Sequence, residues 1–118
     1  MLTIGTTVLG VDDIERAAAF WTAALGYVFR RPPSDDWVIL DPPNGEGASL
    51  ALSRTRAVVT LPPRMHLDLY ADDQASEIPR LLSLGARQID WDNYPSDADY
   101  VVLEDTEGNR FCVVDIHA

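Results

Sequence analysis

Apolar and polar positions follow two different periods along the chain, and each period predicts one kind of element. Between residues 11 and 26, apolar side chains recur at helical spacing. This stripe comprises Ile14, Ala17, Ala18, Trp21 and Leu25. Asp12 or Asp13 suits the N-cap of this helix, and Gly26 suits its end. Residues 71–85 predict a second helix, in which Pro79 is expected to remove one backbone hydrogen bond and to kink the rod.

Segments of alternating or continuous apolar residues predict strands around both helices. One such segment precedes each helix, at residues 3–11 and 65–71. Three follow each helix, at residues 27–31, 37–40 and 49–53 and at residues 87–91, 100–103 and 110–116. Each half is therefore predicted to be a βαβββ module. Residues 54–64 have no counterpart in the other half and end in Pro62-Pro63, so they are interpreted as a linker.

The two predicted modules also repeat each other in sequence. Residues 11–26 and 71–85 both contain a small or apolar residue, two aspartates, an amphipathic stretch and a final Leu-Gly. The turn between the last two strands repeats as residues 41–45 and 105–109, and both copies begin with aspartate and contain glycine and asparagine. This internal repeat is the strongest indication of the fold in the sequence.

Alternation along the strands assigns their side chains to opposite faces of each sheet. The side that packs on the helix is expected to carry Leu9, Val11, Met65, Leu67, Leu69, Phe111 and Val113. The opposite face is expected to carry Ile4, Thr6, Val8, His66, Asp68, Tyr70, Arg110, Cys112 and Val114. Candidate chemistry is therefore concentrated on the face that no helix covers.

Composition excludes several functional classes. The chain has 118 residues, enough for one domain with a hydrophobic core, and a formal net charge of -10 that disfavours nucleic acid as a partner. No apolar run is long enough to cross a membrane and no N-terminal leader is apparent, so a cytoplasmic location is expected. Cys112 is the only cysteine and cannot form an internal disulfide.

Four segments together resemble one protein family. They are residues 20–27 (FWTAALGY), 66–69 (HLDL), 84–86 (LGA) and 108–114 (GNRFCVV). In their order and spacing they resemble the glyoxalase-like domain subgroup of the glyoxalase/bleomycin resistance protein/dioxygenase superfamily, also called vicinal oxygen chelate. The resemblance implies an α+β fold in which two tandem βαβββ modules, about 1–54 and 64–118, form a curved mixed sheet around a concave pocket in a single domain. It also implies a homodimer.

The resemblance further implies four positions for the ligands of a divalent metal. By position these are Thr6, Leu50 or its immediate neighbour, His66 and Cys112. Only His66 is a typical ligand of this family, and a mononuclear catalytic site normally needs about three protein ligands. One histidine and a distant cysteine fall short, so no metal and no other cofactor is expected. A divalent metal is the minority alternative.

The residues around His66 allow two interpretations each. His66 and Asp68 lie two apart on one strand, so they are either weak candidates for acid-base catalysis or a hydrogen-bonded polar pair. Cys112 has no adjacent base and is interpreted as part of the pocket wall rather than as a nucleophile. Trp37 and Trp91 either pack in the core or line a site for a flat organic ligand.

We first hypothesise a small-molecule-binding protein with a degraded metal site, which sequesters an aromatic or cationic compound. Its predicted pocket residues are Thr6, Val8, Trp37, Leu50, His66, Asp68, Trp91 and Cys112. The alternative is a lyase, isomerase or dioxygenase-like enzyme that uses His66 as a base or metal ligand. A third possibility is an assembly or regulatory module with an empty pocket.

Overall fold

The computed structural model describes residues 1–118, which divide into two compact units, Met1–Val58 and Val59–Ala118. The boundary lies inside the predicted linker. The N-terminal unit contains β1 (Thr6–Val11), α1 (Ile14–Leu25), β2 (Val28–Phe29), β3 (Trp37–Asp41) and β4 (Ser49–Arg54). The C-terminal unit contains β5 (Leu67–Ala71), α2 (Gln74–Leu84), β6 (Arg87–Gln88), β7 (Tyr100–Glu104) and β8 (Arg110–Asp115).

Each unit has its own four-stranded mixed sheet, and the strand orders correspond. The orders are β1-β4-β3-β2 and β5-β8-β7-β6. In each sheet the first strand pairs in parallel with the last, and the other pairings are antiparallel. The predicted α+β class with tandem βαβββ modules is confirmed.

Both helices begin and end where the sequence indicates. Asp13 caps α1 by accepting a hydrogen bond from the Arg16 backbone N–H at 3.0 Å, and Gly26 ends it at φ 68°. α2 has the corresponding aspartate and glycine at its two ends and continues through Pro79. Neither helix is long and apolar enough to span a bilayer. The cytoplasmic location stays a prediction.

The predicted core is largely confirmed. In α1 the side chains of Ile14, Ala17, Ala18 and Trp21 are buried, and Phe20, which the stripe did not include, is buried beside them. One position differs. Met65 was predicted to face the helix but is exposed, because it precedes the first residue of β5.

The second strand of each module is shorter than predicted. β2 and β6 contain two residues each, whereas residues 27–31 and 87–91 were predicted. Pairing continues for a single hydrogen bond after each strand, from Arg30 N–H to the Ile39 carbonyl and from Ile89 N–H to the Val102 carbonyl. Beyond these bonds the chain leaves the sheet edge.

The repeated turn has the predicted glycine conformation but different aspartate chemistry in its two copies. Gly45 and Gly108 have φ of 75° and 84°, in the left-handed region that favours glycine. Asp41 binds Arg30 and Ser49, and these hydrogen bonds lower the pKa of its carboxyl group to about 2. Asp105 is instead fully buried and bonds its own turn.

Candidate functional site

A cavity of about 530 Å³ lies entirely within the C-terminal unit. It opens on the face of the sheet that carries His66, Asp68 and Tyr70, and its other walls include Pro62, Pro63 and Trp91. Its volume falls in the range of small-molecule sites. Three predicted pocket residues besides Trp91 line it: His66, Asp68 and Cys112.

Strand register explains why residues far apart in sequence meet in this cavity. Asp68 of β5 is the parallel partner of Cys112 of β8, and Cys112 is the antiparallel partner of Val102 of β7. Paired residues on neighbouring strands lie on the same face of a sheet. Asp68, Cys112 and Val102 therefore form one row of side chains across β5, β8 and β7 on the cavity face.

His66, Asp68 and Cys112 form a compact polar cluster on this face. His66 Nε2 lies 3.0 Å from Asp68 Oδ1. One nitrogen, one carboxylate oxygen and one sulfur atom of the three residues all lie within 4.8 Å of one another. The expectation that Cys112 is distant from His66 is therefore wrong, because β5 and β8 are adjacent. His66 and Asp68 are about half exposed, so the cluster is accessible from the cavity.

The Cys112 thiol is protonated at neutral pH. Burial, the charge of Asp68 and a hydrogen bond to Asp68 together raise its pKa to about 11, and burial is the largest of the three causes. A thiol in this state is a poor nucleophile. The interpretation of Cys112 as part of the pocket wall agrees with this environment.

Alkylation of Cys112 in chelator-treated protein is therefore expected to be slow. Because the pKa rises from 9.0 to about 11, the thiolate fraction at pH 8 falls about 100-fold relative to an unperturbed thiol. The rate of iodoacetamide labelling, measured by mass spectrometry, should be lower by at least that factor than in the same protein in denaturant. Comparable rates in the two states would contradict the buried, protonated thiol.

Trp91 and Arg110 form a second feature of the cavity wall. The Arg110 guanidinium carbon lies 5.9 Å from the centre of the Trp91 ring, a cation-π arrangement. Arg110 makes no ion pair, and both its Nε and the Trp91 Nε1 are buried without a hydrogen-bond partner. Buried donors of this kind are costly unless an acceptor reaches them.

A tyrosine pair stabilises the loop that carries Trp91. The Tyr94 hydroxyl oxygen accepts a hydrogen bond of 2.7 Å from the Val102 backbone N–H. The rings of Tyr94 and Tyr100 lie 5.3 Å apart. The Asp115 N–H donates to the Asp99 carbonyl at 2.7 Å, which connects the end of the same loop to β8. The loop is thus hydrogen-bonded to both β7 and β8.

The other predicted pocket residues belong to the N-terminal unit. Thr6, Val8 and Trp37 are exposed. Leu50 is buried and pairs with Thr7, on the side of β1 that includes Leu9 and Val11, so it faces α1. The neighbouring Ala51 pairs with Val8 and has the position that corresponds to Cys112 of the C-terminal unit.

A second cavity, of about 750 Å³, lies in the N-terminal unit beside the first turn of α1. Its wall contains Asp12, Asp13, Glu15 and Asp35, and Phe29 is its single aromatic residue. It contains none of the predicted pocket residues. Acidic side chains around a helix start do not by themselves make a ligand site, since they are ordinarily solvated.

The four metal positions implied by the family resemblance do not form a complete ligand set. A threonine occupies the first position, and neither Leu50 nor Ala51 can ligate a metal at the second. The donors present instead lie in the C-terminal unit alone, with Asp68 beside His66 and Cys112. The chain therefore does not reproduce the two-module site. The predicted absence of a cofactor stays a prediction.

Residues 6–114 match the family model of the glyoxalase-like domain. The chain belongs to this family. No curated protein sequence matches it. Predictions from the family resemblance are thus confirmed for fold and superfamily.

Solved structures with the same fold share little sequence with this glyoxalase-like chain. A glyoxalase-related enzyme from Fulvimarina pelagi matches with a TM-score of 0.75 at 17% identity, covering 98% of this chain and 88% of that one. A glyoxalase/bleomycin resistance protein/dioxygenase family enzyme from Burkholderia phytofirmans PsJN matches with a TM-score of 0.73 at 15% identity, covering 98% and 99%. A mutant of the fosfomycin resistance protein FosX from Listeria monocytogenes, complexed with Mn(II) and a dihydroxypropylphosphonic acid, gives 0.75 at 11% identity, covering 97% and 90%. At these identities the similarity shows the fold alone.

Arg110 and Tyr100 line the cavity but are not among the pocket residues predicted from the sequence. Arg110 was placed on the open face by alternation but received no role, because the sequence does not show whether an arginine has an acidic partner. Tyr100 is the first residue of β7 and received no role from the sequence. Its position opposite Val114 places it on the cavity side, and this required the register of β7 and β8.

Proposed function

We propose that this glyoxalase-like protein binds a small organic molecule with a planar ring in the cavity of the C-terminal unit. The observation that carries the proposal is the wall formed by Trp91 and Tyr100, beside the unpaired guanidinium of Arg110. Aromatic walls with a few oriented polar groups are typical of small-molecule sites. The homodimer implied by the family stays a prediction.

Arg110 specifies the charge of the ligand further. The sequence predicts an aromatic or a cationic compound as the ligand. In the cavity, Asp68 is already hydrogen-bonded to His66, whereas Arg110 has no ion-pair partner. An arginine with free donors prefers a carboxylate or another oxyanion. An aromatic carboxylate therefore suits the cavity better than an aromatic cation does.

Three probes that share one ring test this proposal. Naphthoate, naphthalenemethanol and naphthylmethylammonium differ chiefly in charge, and calorimetry of the whole chain measures their affinities. The Trp91→Ala variant should bind naphthoate about 5-fold more weakly, since an aromatic contact contributes roughly 1 kcal/mol. The Arg110→Gln variant should lose the preference for naphthoate over the uncharged alcohol.

Matched variants separate these effects from damage to the fold. Arg87→Gln removes another arginine of the same sheet, one that pairs with Glu104 outside the cavity, and should leave all three affinities unchanged. Trp91→Phe should retain most of the ring contact. No binding of any probe to the parent protein, or equal losses in Arg87→Gln and Arg110→Gln, would overturn the proposal.

The enzyme hypothesis retains one specific observation in its favour. Asp68 holds His66 Nε2 at 3.0 Å, and the other ring nitrogen, Nδ1, has no hydrogen-bond partner in the chain. A histidine oriented by a carboxylate is suited to accept a proton from a bound molecule. A lyase or isomerase would use His66 in this way. A His66→Ala variant should then lose the activity of such an enzyme, whereas its affinity for naphthoate should not change.

A further inference from the structure

We propose that His66, Asp68 and Cys112 bind a thiophilic divalent ion of the zinc class, with ligands from the C-terminal unit alone. This inference does not depend on the aromatic ligand proposed above. Their donor atoms lie within 4.8 Å of one another. Asp68 and Cys112 are partners on the adjacent strands β5 and β8, and His66 directly precedes β5. The site faces an open cavity, so a fourth position is accessible to water or to a ligand.

The present geometry needs only small side-chain rotations to reach metal coordination. Around a tetrahedral zinc ion, nitrogen, oxygen and sulfur ligands lie about 3.3–3.6 Å apart, given the usual zinc-ligand lengths. The His66 nitrogen and the Asp68 oxygen are already 3.0 Å apart. Because His66 and Asp68 are about half exposed, their side chains can turn without displacing the core.

The donor set selects the type of ion. Imidazole and thiolate favour zinc and similar borderline ions, whereas magnesium and manganese prefer sites made of oxygen atoms. Three protein ligands and one open position also match the usual coordination of catalytic zinc. The family resemblance implies metal ligands from both modules, including the positions of Thr6 and of Leu50 or Ala51. The site proposed here takes all its ligands from the C-terminal unit.

Binding requires the Cys112 thiol to lose its proton. The S–H bond breaks, the sulfur lone pair binds the ion, and the proton passes to solvent, so no oxidant or reductant is involved. Uptake of the ion should release about one proton per chain near neutral pH, where the free thiol is protonated. The hydrogen bond between the thiol and Asp68 is lost, and the Asp68 carboxylate coordinates the ion instead.

Cobalt binding to the chelator-treated whole chain tests the inference by spectroscopy. Co²⁺ substitutes for Zn²⁺ in such sites, and a cobalt-thiolate bond produces a charge-transfer band in the near ultraviolet. Cys112 is the only cysteine of the chain, so such a band identifies it as a ligand. We expect one Co²⁺ per chain, displacement by one Zn²⁺, and no competition from Mg²⁺ or Mn²⁺ at equal concentration.

Variants assign the remaining ligands. Cys112→Ser should abolish the charge-transfer band, and His66→Ala should weaken zinc binding by at least roughly 100-fold, the upper range seen even for outer-shell partners of metal ligands. The matched control is His117→Ala, because His117 forms a similar exposed pair with Asp72 at 3.2 Å but has no cysteine nearby. It should bind zinc as the parent does.

Three results would each overturn the inference: no binding of cobalt or zinc, cobalt binding without the thiolate band, or zinc affinity unchanged in His66→Ala. His66 is exposed, so that variant is expected to fold even if Cys112→Ser does not. Naphthoate affinity is measured on the same chelator-treated protein. If the parent protein binds naphthoate but no metal, this inference alone is refuted. If it binds the metal but not naphthoate, the proposed function alone is refuted.

Discussion

Replacement of Asp105 by alanine is expected to lower the free energy of unfolding by about 3 kcal/mol, because a carboxylate that accepts several buried hydrogen bonds is removed. Asp105 is completely buried. Its Oδ1 accepts from the backbone N–H groups of Glu107 and Asn109 at 2.9 and 2.8 Å. The variant leaves these donors without a partner in the turn that joins β7 to β8, the strand that carries Cys112.

Thermal unfolding followed by circular dichroism measures this effect. A loss of about 3 kcal/mol corresponds to a decrease in Tm of roughly 12 °C for a domain of this size. Asp92→Ala, at an exposed aspartate of the loop, should change Tm very little. Equal shifts in the two variants would show that the hydrogen bonds of Asp105 do not stabilise the turn.

Asp105 also shows what the sequence repeat cannot predict. The repeat correctly places an aspartate at the start of both turns, and positive φ occurs at both glycines. In the first copy, however, Arg30 and Ser49 are close enough to bind Asp41, so that carboxylate stabilises a side-chain network. Equivalent residues therefore have different partners, since the side chains around them differ.

The fold was predictable because periodicity and repetition agree. The stripe on α1, its aspartate cap and Gly26 all indicate the same helix, and the second module repeats the pattern. Alternation likewise predicts which side of β5 and β8 faces the helix. It fails at Met65, because it assumes an extended chain two residues before β5 begins.

The site was only partly predictable, for a physical reason. Alternation assigns His66, Asp68 and Cys112 to one face, but it does not state which strands are neighbours or in what register. The parallel pairing of β5 with β8 decides that Asp68 lies beside Cys112. In the same way, whether Arg110 forms an ion pair depends on where the carboxylates lie in the folded chain, and its buried Nε has no partner there.

Two tryptophans of the N-terminal unit allow a direct comparison of a buried and an exposed position, in which Trp21→Ala is expected to cost about 3–5 kcal/mol of unfolding free energy. Trp21 is 1% exposed and makes an edge-to-face contact with Phe20, with ring centres 5.0 Å apart. Trp37 is 38% exposed, so Trp37→Ala should cost no more than about 1.5 kcal/mol. Urea unfolding followed by circular dichroism compares the variants without using tryptophan fluorescence. If both lost the same free energy, Trp37 would be a core residue rather than one available to a ligand.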